Sequence, residues 1–221
     1  MSPETYYKNN FYGIDRFNFN FSLLKLENHQ KQILDTFHKS NNVSIEKSRQ
    51  IGMSSILALY VSYMMLYGNK KNIVICIPNM SMGSRFLSKI KMILFKSTSY
   101  GELDGHLKDY RAKLYYGDCL VRVVSNVNMM KGSNIDLLII DEAAHIKSLE
   151  EIFLGVAPMV LAKKGQIIST SSSGSISGET FKKWHLNIKK EFHTYKRELI
   201  LEKIKNIKSE SRSMFYRAKF N

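Results

Sequence analysis

Two stretches of this 221-residue chain carry side chains suited to phosphate chemistry. The first runs Lys47-Ser48-Arg49-Gln50-Ile51-Gly52-Met53-Ser54-Ser55, a polar loop between a strand-like run and an apolar helix-like run. In that context backbone N–H groups and a helix N-terminus point at an anion. Against the phosphate-loop pattern GxxxxGK[ST], Gly52 and Ser54 match, whereas Met53 stands where the lysine belongs and Lys47 where the first glycine belongs. As a phosphate loop, the segment needs Lys47 to bend over the phosphates from the loop's start, helped by Arg49, with the Ser54 hydroxyl on magnesium. An ordinary polar turn is the competing reading.

The second stretch, Leu137-Leu138-Ile139-Ile140-Asp141-Glu142, delivers two carboxylates at the end of four apolar residues. Open α/β sheets place their ligands at that end of a strand. An aspartate there can hold magnesium through water, and a glutamate beside it can orient and deprotonate an attacking water. An acidic cap on the next helix is the alternative. A third run, Ser169-Thr170-Ser171-Ser172-Ser173-Gly174, follows the next apolar strand and offers small hydroxyls near the phosphate, or simply a flexible loop. Gln30 lies 17 residues before Lys47, where an amide can read an adenine edge or merely face solvent.

These residues need a scaffold, and the apolar pattern supplies one. Ile33, Leu34 and Phe37 recur at helical spacing over 28–39, after an asparagine able to cap the first turn. Residues 43–46 read as a strand, 54–67 as a helix buried all round, 72–77 as a continuous apolar strand, and 82–95 as a helix with one apolar side. Residues 97–112 read as loop, 113–124 as two strands around a Gly117-Asp118 turn, 148–163 as helical, and 166–170 as a buried strand. A helix over 178–190, a strand over 192–197 and a helix over 209–219 follow. Continuous apolar strands between helices predict an α/β fold with a mainly parallel central sheet covered on both faces. The expected divisions are an aromatic N-terminal arm (1–27), a core domain (28–200) and a basic C-terminal segment (201–221).

Charge points to a polyanionic partner. The balance is 33 Lys+Arg against 19 Asp+Glu, or +14, with twelve basic residues and four glutamates from Lys182 to Asn221. A solvated lysine-rich surface is the plainer account. Cys76 and Cys119 sit in no CxxC or Cys/His cluster, which argues for a reduced, intracellular protein. The N-terminus lacks a signal-peptide apolar core, and the stretch from Ile56 to Tyr67 is shorter than the roughly 18–20 residues of a membrane span. No HxxxH, HExxH or GxSxG pattern supports a transition-metal site or a serine hydrolase. His145 reads as a helix-start histidine, and Met64, Met65, Met129 and Met130 read as core residues.

Taken together, KSRQIGMSS, KGSNIDLLIIDEAAHI and IISTSSSG resemble the ATPase domain of the large terminase subunit of tailed bacteriophages, over roughly residues 28–175. The resemblance implies an additional-strand, catalytic-glutamate P-loop NTPase fold using ATP and Mg²⁺. It implies phosphate contacts from Lys47 and Arg49 within a nucleotide loop 47–55 that includes Ser48, Gln50, Ile51 and Ser55. Ser54 and Asp141 would hold magnesium, Glu142 would be the catalytic base, and Ser169, Thr170 and Ser171 the coupling motif. Implied partners are double-stranded DNA, a homo-oligomeric ring, a portal and a small terminase subunit, in the host cytoplasm and away from membranes. Arg85, Arg111, Arg122 and Arg197 are candidates for a finger reaching a neighbour's site. Family members of this kind carry a nuclease domain after the ATPase. Residues 201–221 are expected to begin a linker toward such a domain, encoded elsewhere or in a longer product, and these 221 residues are not expected to cleave DNA. A helicase-like P-loop ATPase and a non-hydrolysing DNA- or partner-binding P-loop protein are the two alternatives.

Overall fold

The computed structural model describes residues 1–14, 21–47, 51–97, 106–130, 132–172 and 178–191. A seven-stranded sheet forms its centre. In chain order its strands are β3 (Asn42–Glu46), β4 (Asn72–Cys76), β5 (Leu107–Tyr110), β6 (Lys113–Tyr116), β7 (Cys119–Val124), β8 (Leu137–Asp141) and β9 (Gln166–Ser171). Their spatial order is β3-β9-β8-β4-β7-β6-β5. The first five run parallel, and β6 and β5 add antiparallel at one edge. A separate antiparallel pair, β1 (Tyr12–Ile14) and β2 (Phe21–Leu23), lies in the N-terminal segment.

Helices cover both faces because side chains alternate along each buried strand. Ile73, Ile75, Leu137, Ile139 and Ile168 face one core, shared with α1 (Pro3–Asn10), α2 (Asn28–Lys39), α3 (Met53–Tyr67) and α4 (Met80–Ser97). Val74, Cys76, Leu138, Ile140 and Ile167 face the other. That second core is closed by α5 (Leu149–Glu151), a π turn (Ile152–Val156), α6 (Ala157–Ala162) and α7 (Gly178–Glu191). The π turn has a local cause: Pro158 cannot donate to the carbonyl four residues back, and the wider turn relieves the clash.

Several boundaries differ from the sequence-based expectation. The arm contains a helix, α1, whose Tyr6 and Tyr7 are buried against α3. Its periodicity is hidden because the two buried tyrosines are adjacent and the third buried position, Asn10, is polar. Strand β5 falls inside the expected loop. Three of its four residues are exposed, so no apolar alternation marks it. The cap of α2 is Glu27 rather than Asn28, and it forms a reciprocal capping box with Gln30. Met64, Met65 and Met130 are buried as expected, whereas Met129 is half exposed. The expected elements at 192–197 and 209–219 lie outside the described residues. Both cysteines are buried, and burial pushes each thiol up to about 12, so neither is a ready nucleophile.

The α1–α3 contact carries a tyrosine cluster with one titrating member. The His38 ring packs against Tyr7, Tyr60 and Tyr63, and Tyr7 Oη lies 2.6 Å from its Nε2. Loss of water around the ring lowers the His38 pKa, and the Asp35 carboxylate offsets part of that. A folded value below the unfolded one, about 6.5, means the unfolded chain binds more protons as pH falls. The stabilisation is therefore complete above about 6.5 and lost below it, toward the lower folded value. Urea midpoints measured across that window should fall with acidification, and His38→Gln should flatten the dependence. An unchanged slope in the variant would place the effect elsewhere.

Candidate functional site

Topology brings the chemistry-bearing residues to one rim. β3, β9 and β8 are consecutive neighbours, with Glu46 beside Ser171 and Thr170 beside Asp141. Lys47 follows β3 directly and its N–H donates to the Ser171 carbonyl at 2.8 Å. The strand ends thus align Lys47, Ser171 and Asp141 on the C-terminal edge of the sheet, although the first and last are 94 positions apart. The first turn of α3 rises from the same edge and carries Ser54.

Asp141 is the hub. Its Oδ2 accepts from Ser54 Oγ at 2.8 Å, and its Oδ1 accepts from Thr170 Oγ1 at 2.7 Å and from the Glu142 N–H at 3.0 Å. With its side chain 2% exposed, this carboxylate depends on those bonds. Glu142 then turns the chain through the left-handed region, φ 54 and ψ 45. For a residue with a Cβ this costs about 1–3 kcal/mol and is found where surrounding contacts enforce it. Its side chain makes no cap hydrogen bond, which removes the acidic-cap reading. Instead Glu142 Oε1 forms an ion pair with Lys47 Nζ, and Ser172 Oγ donates to Oε2 at 3.4 Å.

Lys47 is 6% exposed, so its charge is held almost entirely by Glu142. Met53, at the position of the usual phosphate-loop lysine, is 3% exposed and packs in the α1–α4 core. Gly52 adopts φ +79, which favours glycine, and a Cβ there would lie 3.2 Å from Gln30 Nε2. Gly52→Ala should therefore cost about 1–2 kcal/mol. Denaturant midpoints read this directly, and a neutral substitution would show that the turn can rearrange.

Other expected site residues divide clearly. Gln30 reaches the loop's end: its Oε1 accepts from the Glu27 N–H at 3.0 Å and its Nε2 donates to the Ile51 carbonyl at 3.3 Å. Both ends of the amide are occupied by protein. Ser171 Oγ accepts from the Ala144 N–H at 2.9 Å, tying β9 to the turn after Glu142. Ser169 is farther back; its Oγ accepts from Trp184 Nε1 at 3.1 Å. Ser48, Arg49, Gln50 and Arg197 lie outside the described residues. Arg85 and Arg111 are exposed, and Arg122 donates to the Met129 carbonyl at 3.5 Å.

Two neighbours of this rim were not evident from sequence. Lys89 on α4 donates to Ser55 Oγ at 3.1 Å, and its pKa is lowered by burial and raised in part by Asp141. Its only sequence signal is its place beside the buried stripe Phe86-Leu87-Ile90. Trp184, the sole tryptophan, stacks on Phe153 with ring centroids 4.2 Å apart and so braces α7 beneath Ser169.

Asp141 and Ser54 present oxygen donors only, which suits a hard divalent cation such as Mg²⁺. Among the described residues no group of three or more His, Cys, Asp or Glu is arranged to hold a metal.

The chain has an α/β fold of the P-loop type, a mainly parallel sheet flanked by helices, with a polar cluster at the strand C-termini. No protein-family model matches the chain. Among solved structures it is similar to the large terminase ATPase domain of Thermus phage P74-26, at 16% identity and TM-score 0.58, over 73% of this chain and 70% of that one. It is also similar to the bacteriophage HK97 large terminase (15% identity, TM-score 0.63, 89% of this chain and 44% of that one). A DEAD box protein from the hyperthermophile Methanococcus jannaschii shares the fold more distantly (13% identity, TM-score 0.51, 77% and 49%). The chain therefore spans less than half the length of the HK97 protein. The fold expected from the sequence resemblance is the fold found.

Proposed function

We propose that this chain is the ATP-hydrolysing motor domain of a viral terminase large subunit, driving double-stranded DNA into a prohead. The observation that carries the reading is the convergence of Lys47, Ser54, Asp141 and Glu142 on one rim of the sheet. The terminase fold likeness and the +14 charge balance agree with it.

The residues divide the work by charge. Lys47 leaves Glu142 for the triphosphate when ATP arrives, so phosphate binding and release of the Glu142 carboxylate are one event. The freed carboxylate then accepts a proton from the attacking water. Ser172 keeps the carboxylate oriented, and the backbone turn at Glu142 aims it away from the hydrogen-bonded Asp141. Asp141 and Ser54 would hold Mg²⁺, which supplies neutralising charge to the phosphates when bound. Ser171 connects β9 to the turn after Glu142, a route by which phosphate loss reaches the sheet edge. Arg49 is assigned to the phosphates with Lys47, and an arginine from a ring neighbour completes the site. The motor domain takes residues 28–200, working with a portal and a small terminase subunit in the host cytoplasm. No helix of the described residues is long and apolar enough to cross a membrane.

Phosphate release measured with ATP and Mg²⁺, with and without duplex DNA, tests the reading. Turnover stimulated by DNA supports it, and failure to bind nucleotide overturns it. Strand displacement on a forked duplex without a prohead would favour a helicase-like ATPase instead.

A further inference from the structure

A second cleft opens on the same edge of the sheet, past β8 and away from Lys47. Its volume is about 330 Å³, and its walls are Pro78 after β4, the loop 125–128 after β7, and the segment 145–148 beyond Glu142. We propose that this cleft binds the phosphodiester backbone of DNA. The inference rests on the motor reading above and names where the motor would hold its track.

Side-chain chemistry is the first argument. Ser125, Asn126, Asn128, His145, Lys147 and Ser148 line the cleft. Hydroxyls, amides and a lysine are the groups that contact phosphate and sugar oxygens without reading sequence. Lys147 is exposed and takes part in none of the ion pairs among the described residues. Glu151 is the single acidic residue of the lining and sets an opposing charge at its rim. The cleft's wall is also well fixed. Asn126 Oδ1 accepts from the Asn128 N–H at 2.8 Å, the Ile77 N–H donates to the Val124 carbonyl at 3.0 Å, and Arg122 holds the Met129 carbonyl.

Position is the second argument. Only a short turn separates the cleft from Glu142: the His145 N–H donates to the Glu142 carbonyl at 2.9 Å, and the Ile146 N–H to the Ala143 carbonyl at 3.0 Å. The middle residue of that turn, Ala144, is bonded to Ser171. A strand seated on His145–Ser148 therefore bears on the peptide that aims Glu142. The DNA contact and the nucleotide contact share one rigid turn.

The test uses the full chain and a short fluorescent duplex of mixed sequence, titrated at several salt concentrations. Lys147→Glu should weaken binding about tenfold or more and reduce the slope of log affinity against log salt by about 0.9, the signature of one lost phosphate contact. Glu151→Gln should tighten binding. Both positions are exposed, so folding is not at stake. Lys8→Glu supplies the same charge change on α1, across the sheet, and should shift affinity far less. If Lys147→Glu weakens binding no more than Lys8→Glu and leaves the salt slope intact, the cleft is not a DNA site; a protein segment in it would give that result. Binding of a fluorescent ATP analogue by the unaltered chain is read in parallel. Its absence alongside a Lys147-dependent DNA contact would sink the nucleotide reading and leave the cleft assignment standing.

Discussion

Glu142→Ala is expected to bind ATP and fail to hydrolyse it. A positioned general base contributes about 10²- to 10⁴-fold, or roughly 3–5 kcal/mol of barrier, and the carboxylate next to it in the chain is Asp141. That aspartate cannot substitute, because its two oxygens are taken up by Ser54, Thr170 and the Glu142 N–H. A second consequence follows from the ion pair. Removing Glu142 leaves Lys47, 6% exposed, without its partner, so the nucleotide-free variant should be less stable than the unaltered chain. Added nucleotide supplies the missing negative charge and should restore the midpoint. Rapid-quench turnover with equilibrium binding of an ATP analogue separates the two effects. Retained turnover in the variant removes Glu142 from the chemistry.

Much of the scaffold is legible in the chain because the strands that matter are buried on both faces. Ile73-Val74-Ile75-Cys76 and Leu137-Leu138-Ile139-Ile140 read as unbroken apolar runs, a pattern that only a covered sheet explains. What escapes is structure whose stabilisation comes from elsewhere. β5 is an exposed edge strand held by its pairing to β6, and α1 is held by two tyrosines docked on α3. Neither leaves a periodic signal.

The site is legible as residue types and silent as contacts. Asp141-Glu142 and Ser54 announce their chemistry by position after a strand and at the start of a helix. Nothing in the chain says that Lys47 meets Glu142, since that depends on β9 inserting between β3 and β8. Gln30 shows the converse. Its type and spacing suggest a base reader, while the fold engages its amide in a helix cap and an Ile51 contact. Lys89 reaches Ser55 only because α4 packs on α3, and its place beside the buried stripe of α4 says nothing of that contact.

Lys47→Ala should weaken ATP binding far more than Met53→Ala. A hydrogen bond to a charged group is worth about 1.5–3 kcal/mol, which places the loss for Lys47→Ala at about 10- to 100-fold in Kd. Met53 is in a different situation. Its side chain is 3% exposed within the core around α3, so truncation should cost folding stability, about 2–5 kcal/mol for a buried methionine, with little change in the affinity of the folded fraction. Isothermal titration alongside thermal melts resolves the two quantities. The sharper comparison restores the usual spelling: Met53→Lys in a Lys47→Ala background. If the loop works as its geometry indicates, the new lysine enters an apolar core, gains no phosphate and lowers stability further, since a buried ammonium lacks a partner there. Recovery of nucleotide binding by that double variant would mean that the first turn of α3 can reorient toward the ligand, and that Lys47 holds its place through Glu142 rather than through the phosphates.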